Sequence, residues 1–425
     1  MQNEANFEPE VSVLTAGRDR HYSLGLAAAL IRANVKFDFI GSDELECKEL
    51  QLSAWMNFCN LRGDQSTGAS LPGKAWRVII YYFRLIIYAL RTRSKIFHIL
   101  WNNKFEWFDR TLLMGLYKLR GKKIAFTAHN VNAGVRDGYD SWFNRLSLKF
   151  QYRLCDRIFA HTTRMKGELI ADFGVPEYKI VLIPYGWNNM VPDTDLTGLE
   201  ARQRLKLEPE NKVILFFGNI APYKGLEFLI EAFETVANED PSVRLVIAGR
   251  PRGPKAYWKQ MRAIIAGSRH SDRIIQKIGY VTDDDTEFYF KAADVLILPY
   301  VQIFQSGVLF LSYSYGLPVI ATDVGSLKEE IFEGRTGRVC EPKNAGALAR
   351  SIKDYFQSDL YWELEMRRHQ IRRYARRKYS WNKVAAITAA AYAELLSNEG
   401  PLNSLLKKKK NDEAFSFNSH SSLQR

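Results

Sequence analysis

Short apolar runs alternate with amphipathic stretches along most of the chain. In the first half, the apolar runs are VSVLTAG, VKFDFIG, IFHIL, KIAFTAH and RIFAHT. Runs of this length are typical of strands that are buried on both faces of a sheet, and their alternation with helices is typical of βαβ units. The pattern therefore predicts an α/β domain with a parallel sheet over residues 1–190.

A second series of apolar runs comprises KVILFFGN, VRLVIAG, IIQKIGYV, VLILPY and PVIATD, and each run precedes a helical pattern that opens near Gly, Pro or Asp. This series predicts a second Rossmann-like domain over residues 213–360, with the polar residues 191–212 as the linker. Residues 361–400 are predicted to form helices that cross back over the first domain. Residues 401–425, which include a KKKK run, are predicted to be a disordered tail.

Composition and charge narrow the class of protein. A chain of 425 residues is too long for one ordinary core and fits two domains. The formal net charge of +13 indicates an anionic partner, which nucleic acid, anionic lipid and a phosphorylated substrate would all satisfy. The four cysteines have no zinc-ligand or disulfide spacing, and the amino end lacks the features of a signal peptide. A cytoplasmic location is therefore expected.

The first candidate binding loop is NIAPYKG, which follows the strand VILFFG and precedes a predicted helix. Gly218 ends the strand, Asn219 follows it, and Lys224 lies beside the start of the helix. Free backbone N–H groups and the helix dipole at such a turn favour a phosphate, and the lysine adds a positive charge. The alternative is that Gly218 only turns the chain and that Lys224 is solvated.

The second candidate loop follows the strand VLILPY and contains Gln305, Ser306, Gly307 and Val308. Gln305 and Ser306 offer hydrogen-bond donors, and Gly307 permits close approach of the backbone to a ligand at a helix N-terminus. Two such loops at neighbouring strand ends predict one pocket for an anionic or hydroxyl-rich ligand. The alternative is that Ser306 is only a polar N-cap.

The chain also resembles the retaining enzymes of glycosyltransferase family 4. The motifs that carry the resemblance are FFGNIAPYKGLEFLIEAF, IGYV, ADVLILPY, YGLPVIATDVGSLKEEI and GRTGRVCEP, together with FTAHN and the region from DRIFAHT to VLIPYG in the first half. The resemblance implies a GT-B fold, in which two Rossmann-like domains face a cleft. It also implies transfer of a sugar from a nucleotide-sugar donor, without a resident cofactor or a metal ion.

The resemblance assigns roles to some donor-side residues and leaves others unfilled. It implies that Lys224 binds the donor diphosphate, whereas Asn219 stands where the family usually has an assisting arginine. The family's two glutamates, which contact the donor sugar and ribose, correspond to Ile303 and Leu311, so both carboxylates are missing. The backbone of the QSGV loop, residues 305–308, is expected to make the remaining donor contacts.

On the acceptor side, the resemblance implies a catalytic role for His129, which ends the FTAHN strand where the family places a histidine facing the cleft. A histidine can orient a sugar hydroxyl or relay a proton, and the alternative is a structural histidine at a strand end. Gly17 corresponds to the family's amino-terminal glycine loop, which approaches the donor phosphate and the acceptor. Arg18 and Arg20, in the same loop, are expected either to meet an anionic acceptor or to be only solvated. Residues 283–285 (DDD) are interpreted as an N-cap cluster and not as a metal site.

Three functions are compatible with these residues. The leading hypothesis is a sugar transferase that acts on a polyprenyl-linked or other glycan acceptor in envelope polysaccharide assembly. The missing glutamates motivate the first alternative, an inactive GT-B protein that binds a nucleotide or a partner. A nucleotide-sugar epimerase, which shares the architecture, is the second alternative.

Two basic segments suggest partners. KAWRVIIYYFRLIIYALRTRSK, residues 74–95, is apolar, aromatic and free of acidic residues, but Arg77 and Arg84 interrupt it. It is therefore predicted to lie on an anionic membrane surface, at the inner face of the cell membrane, or to pack as a core helix, or both. The second segment is predicted to be a solvated helix face, and its basic residues are Arg367, Arg368, Arg372, Arg373, Arg376, Arg377 and Lys378. No stacking platform or recognition module accompanies the charge, so nucleic-acid binding is not expected.

Overall fold

The computed structural model describes residues 8–65, 70–188 and 191–397, and it contains two sheets flanked by helices. The strands of the first sheet are β1 (Val11–Leu14), β2 (Phe37–Gly41), β3 (Met56–Asn60), β4 (Ile96–Ile99), β5 (Lys123–Ala128), β6 (Arg157–Ala160) and β7 (Ile180–Leu182). The strands of the second sheet are β8 (Lys212–Phe217), β9 (Val243–Gly249), β10 (Ile274–Ile278), β11 (Val295–Leu298), β12 (Val319–Thr322) and β13 (Gly337–Cys340).

The helices lie mainly between successive strands, as βαβ connectivity requires. Those of the first half are α1 (Arg20–Arg32), α2 (Lys48–Gln51), α3 (Leu71–Arg91), α4 (Glu106–Phe108), α5 (Met114–Leu119), α6 (Ala133–Asp137), α7 (Trp142–Leu154) and α8 (Thr163–Phe173). Those of the second half are α9 (Gly198–Arg204), α10 (Leu226–Glu239), α11 (Lys255–Gly267), α12 (Asp283–Ala292), α13 (Gly307–Ser314), α14 (Leu327–Glu330), α15 (Ala345–Phe356), α16 (Asp359–Trp362), α17 (Leu364–Lys378) and α18 (Trp381–Leu396).

The strand orders confirm the predicted α/β fold with two Rossmann-like domains. The first sheet has the order β3-β2-β1-β4-β5-β6-β7 and the second β10-β9-β8-β11-β12-β13, and paired strands are parallel. The order reverses between β1 and β4 and again between β8 and β11. At such a reversal the loops after the two strands diverge and leave a crevice at the carboxyl ends of the strands.

Burial on both faces explains the continuous apolar runs of the central strands. In β11, Val295 and Ile297 face one core cluster, whereas Leu296 and Leu298 face the other. The strands that the pattern did not predict are β3, β7 and β13, and each lies at a sheet edge with partly exposed residues. An edge strand needs fewer apolar residues, so its sequence signal is weaker.

The last helix, α18, packs on the first domain, as predicted, whereas α17 packs on α13 of the second domain. The Trp381 ring of α18 packs so closely on α1 that a Cβ at Gly25 would lie 2.2 Å from Cζ2 of the indole. The hydroxyl of Tyr392 lies 2.6 Å from Nδ1 of His98 on β4. Residues 191–212, predicted as a linker, include α9, whose Arg202 pairs with Asp294 at 2.7 Å. The predicted disordered tail, residues 401–425, lies outside the described residues.

One basic segment fits a predicted alternative, and the other differs from its prediction. Helix α3 buries Tyr81, Tyr82 and other residues of one face and exposes the opposite face, so it is a core helix with a free side. The prediction of a solvated face on α17 is wrong for Arg368, which is buried because its guanidinium donates to backbone carbonyls of Phe290, Ala293 and Tyr315. No helix in the described parts of the chain is long and apolar enough to span a bilayer.

Candidate functional site

A cleft of ≈ 440 Å³ lies between the two domains at the carboxyl ends of both sheets. Its lining includes every residue that the sequence analysis placed in the two donor-side loops: Gly218, Asn219, Lys224, Gln305, Ser306, Gly307 and Val308. The loops come together because β8 and β11 are neighbours in the sheet, so the segments that follow them leave from the same edge. The predicted single pocket for both loops is therefore present.

Glycines allow these loops to pack against each other without side chains. Gly249, at the end of β9, lies so close to β8 that a Cβ would be 1.7 Å from the carbonyl oxygen of Gly218. Gly225 follows Lys224 with a φ of +65°, and a Cβ there would lie 2.0 Å from the carbonyl oxygen of Pro299. The left-handed backbone at Gly225 also disfavours any other residue. The position of Lys224 is thus fixed by close backbone contacts with the end of β11.

The Lys224 ammonium is buried, and no acid of the described residues compensates its charge. Its Nζ donates to the hydroxyl of Tyr300 and lies 3.9 Å from the centre of that ring. No carboxylate of the described residues forms an ion pair with it. Burial, with a smaller contribution from the positive charge of Arg136, lowers the pKa of Lys224 to about 7. A buried cation that lacks an acid is a site at which an anionic ligand gains most.

The second loop is joined to Lys224 through Tyr300. Ser306 occupies the N-cap position of α13, but its side chain makes no capping hydrogen bond; its hydroxyl lies 3.2 Å from the Tyr300 hydroxyl. The N-cap alternative is therefore right about the position of Ser306, but its side chain contacts Tyr300 instead of capping the helix. Gln305 lies beside it, and its buried Oε1 has no hydrogen-bond partner among the described residues. This loop keeps polar atoms available at the cleft.

Ile303 and Leu311, which stand at the positions of the two family glutamates, both line the cleft and are buried. The wall that would carry two carboxylates is therefore apolar. Two carboxylates of the cleft come from other elements, Asp19 at the N-cap of α1 and Asp283 at the start of α12. Asp19 accepts hydrogen bonds from the backbone N–H of Tyr22 and the hydroxyl of Tyr185, and Asp283 pairs with His21 at 3.2 Å.

Two arginines of the cleft were missed by the sequence analysis. Arg250 directly follows β9, and its Nε lies 3.5 Å from Oδ1 of Asn219, the residue that replaces the usual arginine. Arg136, on α6 of the first domain, pairs with Asp137 and lies over the ring of Tyr223. A signal for Arg250 was its place next to the strand VRLVIAG. The sequence signal for Arg136 was weaker, because it consisted only of its position a few residues after the FTAHN strand.

The acidic cluster at the start of α12 has a different role from the one predicted. The N-cap is Thr282, whose side chain accepts from the N–H of Asp285, and the three aspartates are the first residues of the helix. Asp283 reaches across the cleft to His21 and to Arg20, which lies 3.9 Å away. This contact joins the two domains. In the ranges that the structure describes, no three His, Cys, Asp or Glu side chains are grouped as a metal site would require.

His129 and Arg18 do not line the large cleft. They line a neighbouring cavity of ≈ 70 Å³ within the first domain, and Tyr22, which does line the cleft, packs edge-on against His129 at 4.6 Å. Gly17 lies next to Arg62, since a Cβ added at Gly17 would be 3.0 Å from Cδ of Arg62. The structure thus brings the donor-side residues together and separates His129 from them by the Tyr22 ring.

The hydrogen bonds of His129 define its tautomer. Nδ1 of His161 lies 3.2 Å from the carbonyl oxygen of Ile183, which can only accept, so His161 carries its proton there. Nε2 of neutral His161 is then an acceptor, and Nδ1 of His129 donates to it at 3.1 Å. Burial lowers the pKa of His129 well below its usual value. Its Nε2 is therefore an unprotonated acceptor, and it has no hydrogen-bond partner in the described structure.

Each half of the chain matches a glycosyltransferase family model. The family model described as "Glycosyltransferase Family 4" matches residues 21–188, and the model described as "Glycosyl transferases group 1" matches residues 211–358. Together the two matches cover more than half of the chain.

Curated relatives match part of the chain. A D-inositol 3-phosphate glycosyltransferase from Pseudarthrobacter chlorophenolicus is 29% identical over 247 residues, which is 57% of each chain. A mannosylfructose-phosphate synthase from Agrobacterium fabrum is 28% identical over 242 residues, 55% of this chain and 52% of the relative. The chain thus spans less than two thirds of the length of these relatives.

Solved structures match nearly the whole chain. A sucrose-phosphate synthase from Thermosynechococcus elongatus has a TM-score of 0.72 at 18% identity and covers 92% of this chain and 100% of its own. The Anabaena protein HepE, in complex with UDP-glucose, has a TM-score of 0.68 at 15% identity, with 92% and 99% covered. These likenesses establish the two-domain fold. With the two family models, they show that the chain is a glycosyltransferase family 4-like protein.

Proposed function

We propose that this chain is a glycosyltransferase that moves a sugar from a nucleotide-sugar donor to a glycan or lipid-linked acceptor. The observation that carries the proposal is the buried ammonium of Lys224, which has no acidic partner among the described residues and lies where two polar loops meet in the interdomain cleft. A donor diphosphate would supply the missing negative charge. The Anabaena neighbour was solved with UDP-glucose, which supports a nucleotide-sugar as the ligand class.

Several features of the cleft fit the donor. Arg250, beside Asn219, supplies a positive charge near the place where the family arginine is missing. The exposed ring of Tyr280, at the rim of the cleft, offers a surface on which a base can stack. We infer a retaining, metal-independent reaction, in which the donor phosphate helps to deprotonate the acceptor, as the family resemblance implies.

The apolar wall formed by Ile303 and Leu311 favours one competing proposal, an inactive protein that binds a nucleotide without turnover. Binding alone cannot separate the two proposals, because Lys224 and the polar loops would bind a nucleotide in both. A measurement of turnover separates them. Transfer from a radiolabelled nucleotide-sugar to a lipid extract would support the enzyme, and tight binding without any transfer would support the inactive protein.

A screen of nucleotide-sugars by thermal unfolding is the first test of the donor site. A ligand that binds only the folded chain stabilises it by about 2.7 kcal/mol at a hundredfold excess over its Kd. We expect at least one nucleotide-sugar to raise the unfolding temperature, and the free sugar to have little effect because it lacks the diphosphate. If no nucleotide or nucleotide-sugar raises the unfolding temperature, the assignment of the cleft as a donor site is wrong.

The phosphate in the names of the two curated relatives, together with the charge of +13, supports an acceptor or a surface that is anionic. We further propose that the first domain works against an anionic membrane, in envelope polysaccharide assembly. Helices α3 and α7 pack on the same core cluster, so their outer sides belong to one face of the domain. The exposed aromatic residues of that face include Trp76, Phe83, Trp142 and Phe143.

Removing two of these rings should weaken membrane binding. Trp76 is 62% exposed and Phe83 65% exposed, on a helix without acidic residues. We expect Trp76→Ala combined with Phe83→Ala to lower binding to phosphatidylglycerol vesicles by about tenfold or more, since a fully buried ring gains on the order of 1.5–3 kcal/mol and the membrane interface buries each ring in part. Sedimentation of the protein with the vesicles at low salt measures this binding.

The matched control for this experiment is Trp362→Ala combined with Phe332→Ala, which removes two exposed rings from the second domain. It should bind vesicles like the wild type. Binding to neutral phosphatidylcholine vesicles should be weaker, and added salt should weaken binding to anionic ones. Equal sedimentation with neutral vesicles would contradict the role of charge, and an equal loss in the control pair would contradict the assigned face.

A further inference from the structure

A second cavity, of ≈ 210 Å³, lies in the first domain and was not assigned by any sequence motif. It is formed where residues 62–65, after β3, meet the first turns of α3. Its charged lining residues are Arg62, Asp64, Lys74, Arg77 and Lys104. Four of these five side chains are cationic.

The single acid does not neutralise the cavity. Asp64 pairs with Arg77 at 2.9 Å, which accounts for one of the four cations. Lys74 and Lys104 form no ion pair with a carboxylate in the described ranges of the chain. Two lysines and Arg62 therefore leave an excess of positive charge, and the N-terminal end of the 21-residue helix α3 adds to it.

The guanidinium of Arg62 is held in place by neutral groups. Its Nη1 donates to the carbonyl oxygen of Ala16 at 2.6 Å, its Nε donates to Gln65 at 3.0 Å, and its Cζ lies 4.9 Å above the ring of Tyr81. These contacts orient the guanidinium, and no carboxylate in the described part of the chain pairs with it. The cavity is thus built to receive an anion.

The glycine loop separates this cavity from the donor cleft. Arg62 contacts Ala16 and Gly17 on one side, and Asp19, two residues further, lines the cleft on the other. Three residue steps span at most about 11 Å. A ligand whose anionic group occupied the cavity could therefore extend over the loop toward the donor.

We propose that this cavity binds the phosphate or diphosphate group of the acceptor. The proposal rests on the proposed glycosyltransferase function, and it names the acceptor class as phosphorylated. Such a group can belong to a lipid carrier or to a soluble sugar phosphate. Trp76, on the exposed side of the same turn of α3 as Lys74, offers an apolar surface for a lipid chain.

The test measures anion binding by calorimetry in a Lys224→Ala background, which removes the main phosphate contact proposed for the donor cleft. The probes are inorganic pyrophosphate, farnesyl diphosphate and glucose 6-phosphate. We expect the further changes Lys74→Ala and Lys104→Ala to weaken binding of the tightest probe about tenfold or more. A preference for farnesyl diphosphate would indicate a lipid carrier, and a preference for glucose 6-phosphate a soluble acceptor.

The matched control replaces two exposed lysines elsewhere in the same domain, Lys36→Ala and Lys48→Ala, with the same change in net charge. It should leave probe binding unchanged. If the control lowers binding as much as the cavity variant, or if no probe depends on Lys74 and Lys104, the proposal is overturned. Nucleotide-sugar binding by the Lys74→Ala/Lys104→Ala protein with Lys224 intact reports separately on the donor site. If the wild type also fails to bind any nucleotide-sugar, the proposed function is overturned and the anion site is not.

Discussion

Replacing Lys224 by alanine is expected to weaken nucleotide-sugar binding by about ten- to a hundredfold, with little change in folding. The ammonium is buried, donates to Tyr300 and has no acidic partner in the described structure, so its charge has more to gain from a diphosphate than from the protein. A charge-assisted contact contributes about 1.5–3 kcal/mol. Calorimetric titration with the nucleotide-sugar found in the thermal screen measures the loss.

The same lysine predicts how donor binding depends on pH. Burial lowers the pKa of Lys224 to about 7 in the free protein, so above that pH the free protein loses the charge that the diphosphate needs. A bound diphosphate favours the protonated form and raises the pKa. Affinity should therefore fall as the pH rises above about 7, and binding there should take up a proton. Alanine at this position should remove that pH dependence.

Lys259→Ala is the matched control, since Lys259 is an exposed lysine on α11 of the same domain. It should bind the donor as the wild type does, at every pH. Thermal unfolding without ligand should show that both variants are folded. Unchanged donor affinity in Lys224→Ala would remove the phosphate assignment, whatever the screen shows about ligands in general.

The central strands and the two loops could be predicted from the sequence because each depends on local pattern. A strand buried on both faces needs a continuous apolar run, and VILFFG and VLILPY have one. Their place side by side follows from parallel connectivity, so the juxtaposition of Lys224 with Ser306 could be anticipated. The edge strands β3, β7 and β13 could not, because half-exposed residues leave a weak pattern.

The parts of the site that were missed depend on contacts between distant segments. Tyr300 was part of a predicted strand, but its hydroxyl links Lys224 with Ser306 only in the folded chain. Arg136 belongs to the other domain, and its place in the cleft depends on how the two domains meet. Arg368 looked solvated because its neighbours are, yet its guanidinium binds three backbone carbonyls. Charge patterns along a helix do not reveal such partners.

The position of His129 corrects how its proposed role must work. The resemblance placed it facing the cleft, whereas the structure puts the Tyr22 ring between it and the donor-side loops. Its ring is stacked on Trp101 at 4.3 Å and 6°, and its Nδ1 donates to His161. Since burial lowers its pKa well below the usual value, it is suited to accept a hydrogen bond from an acceptor hydroxyl in the small cavity and poorly suited to hold a proton.

His129→Ala is expected to lower turnover by about 10²–10⁴, while nucleotide affinity changes little, because the residue lies outside the donor cleft and would position the acceptor. His129→Asn, which keeps a hydrogen-bond acceptor on a shorter side chain, should recover part of the loss. His369→Ala, which removes an exposed histidine of α17, should be fully active. The measurement is transfer of radiolabelled sugar to a lipid extract, beside calorimetric nucleotide binding and thermal unfolding of each variant. Because His129 stays unprotonated in the physiological range, its contribution should not titrate between pH 6 and 8. A fully active alanine variant would make His129 a structural residue at a strand end, and a wild type that binds donors but transfers none of them would favour the inactive protein.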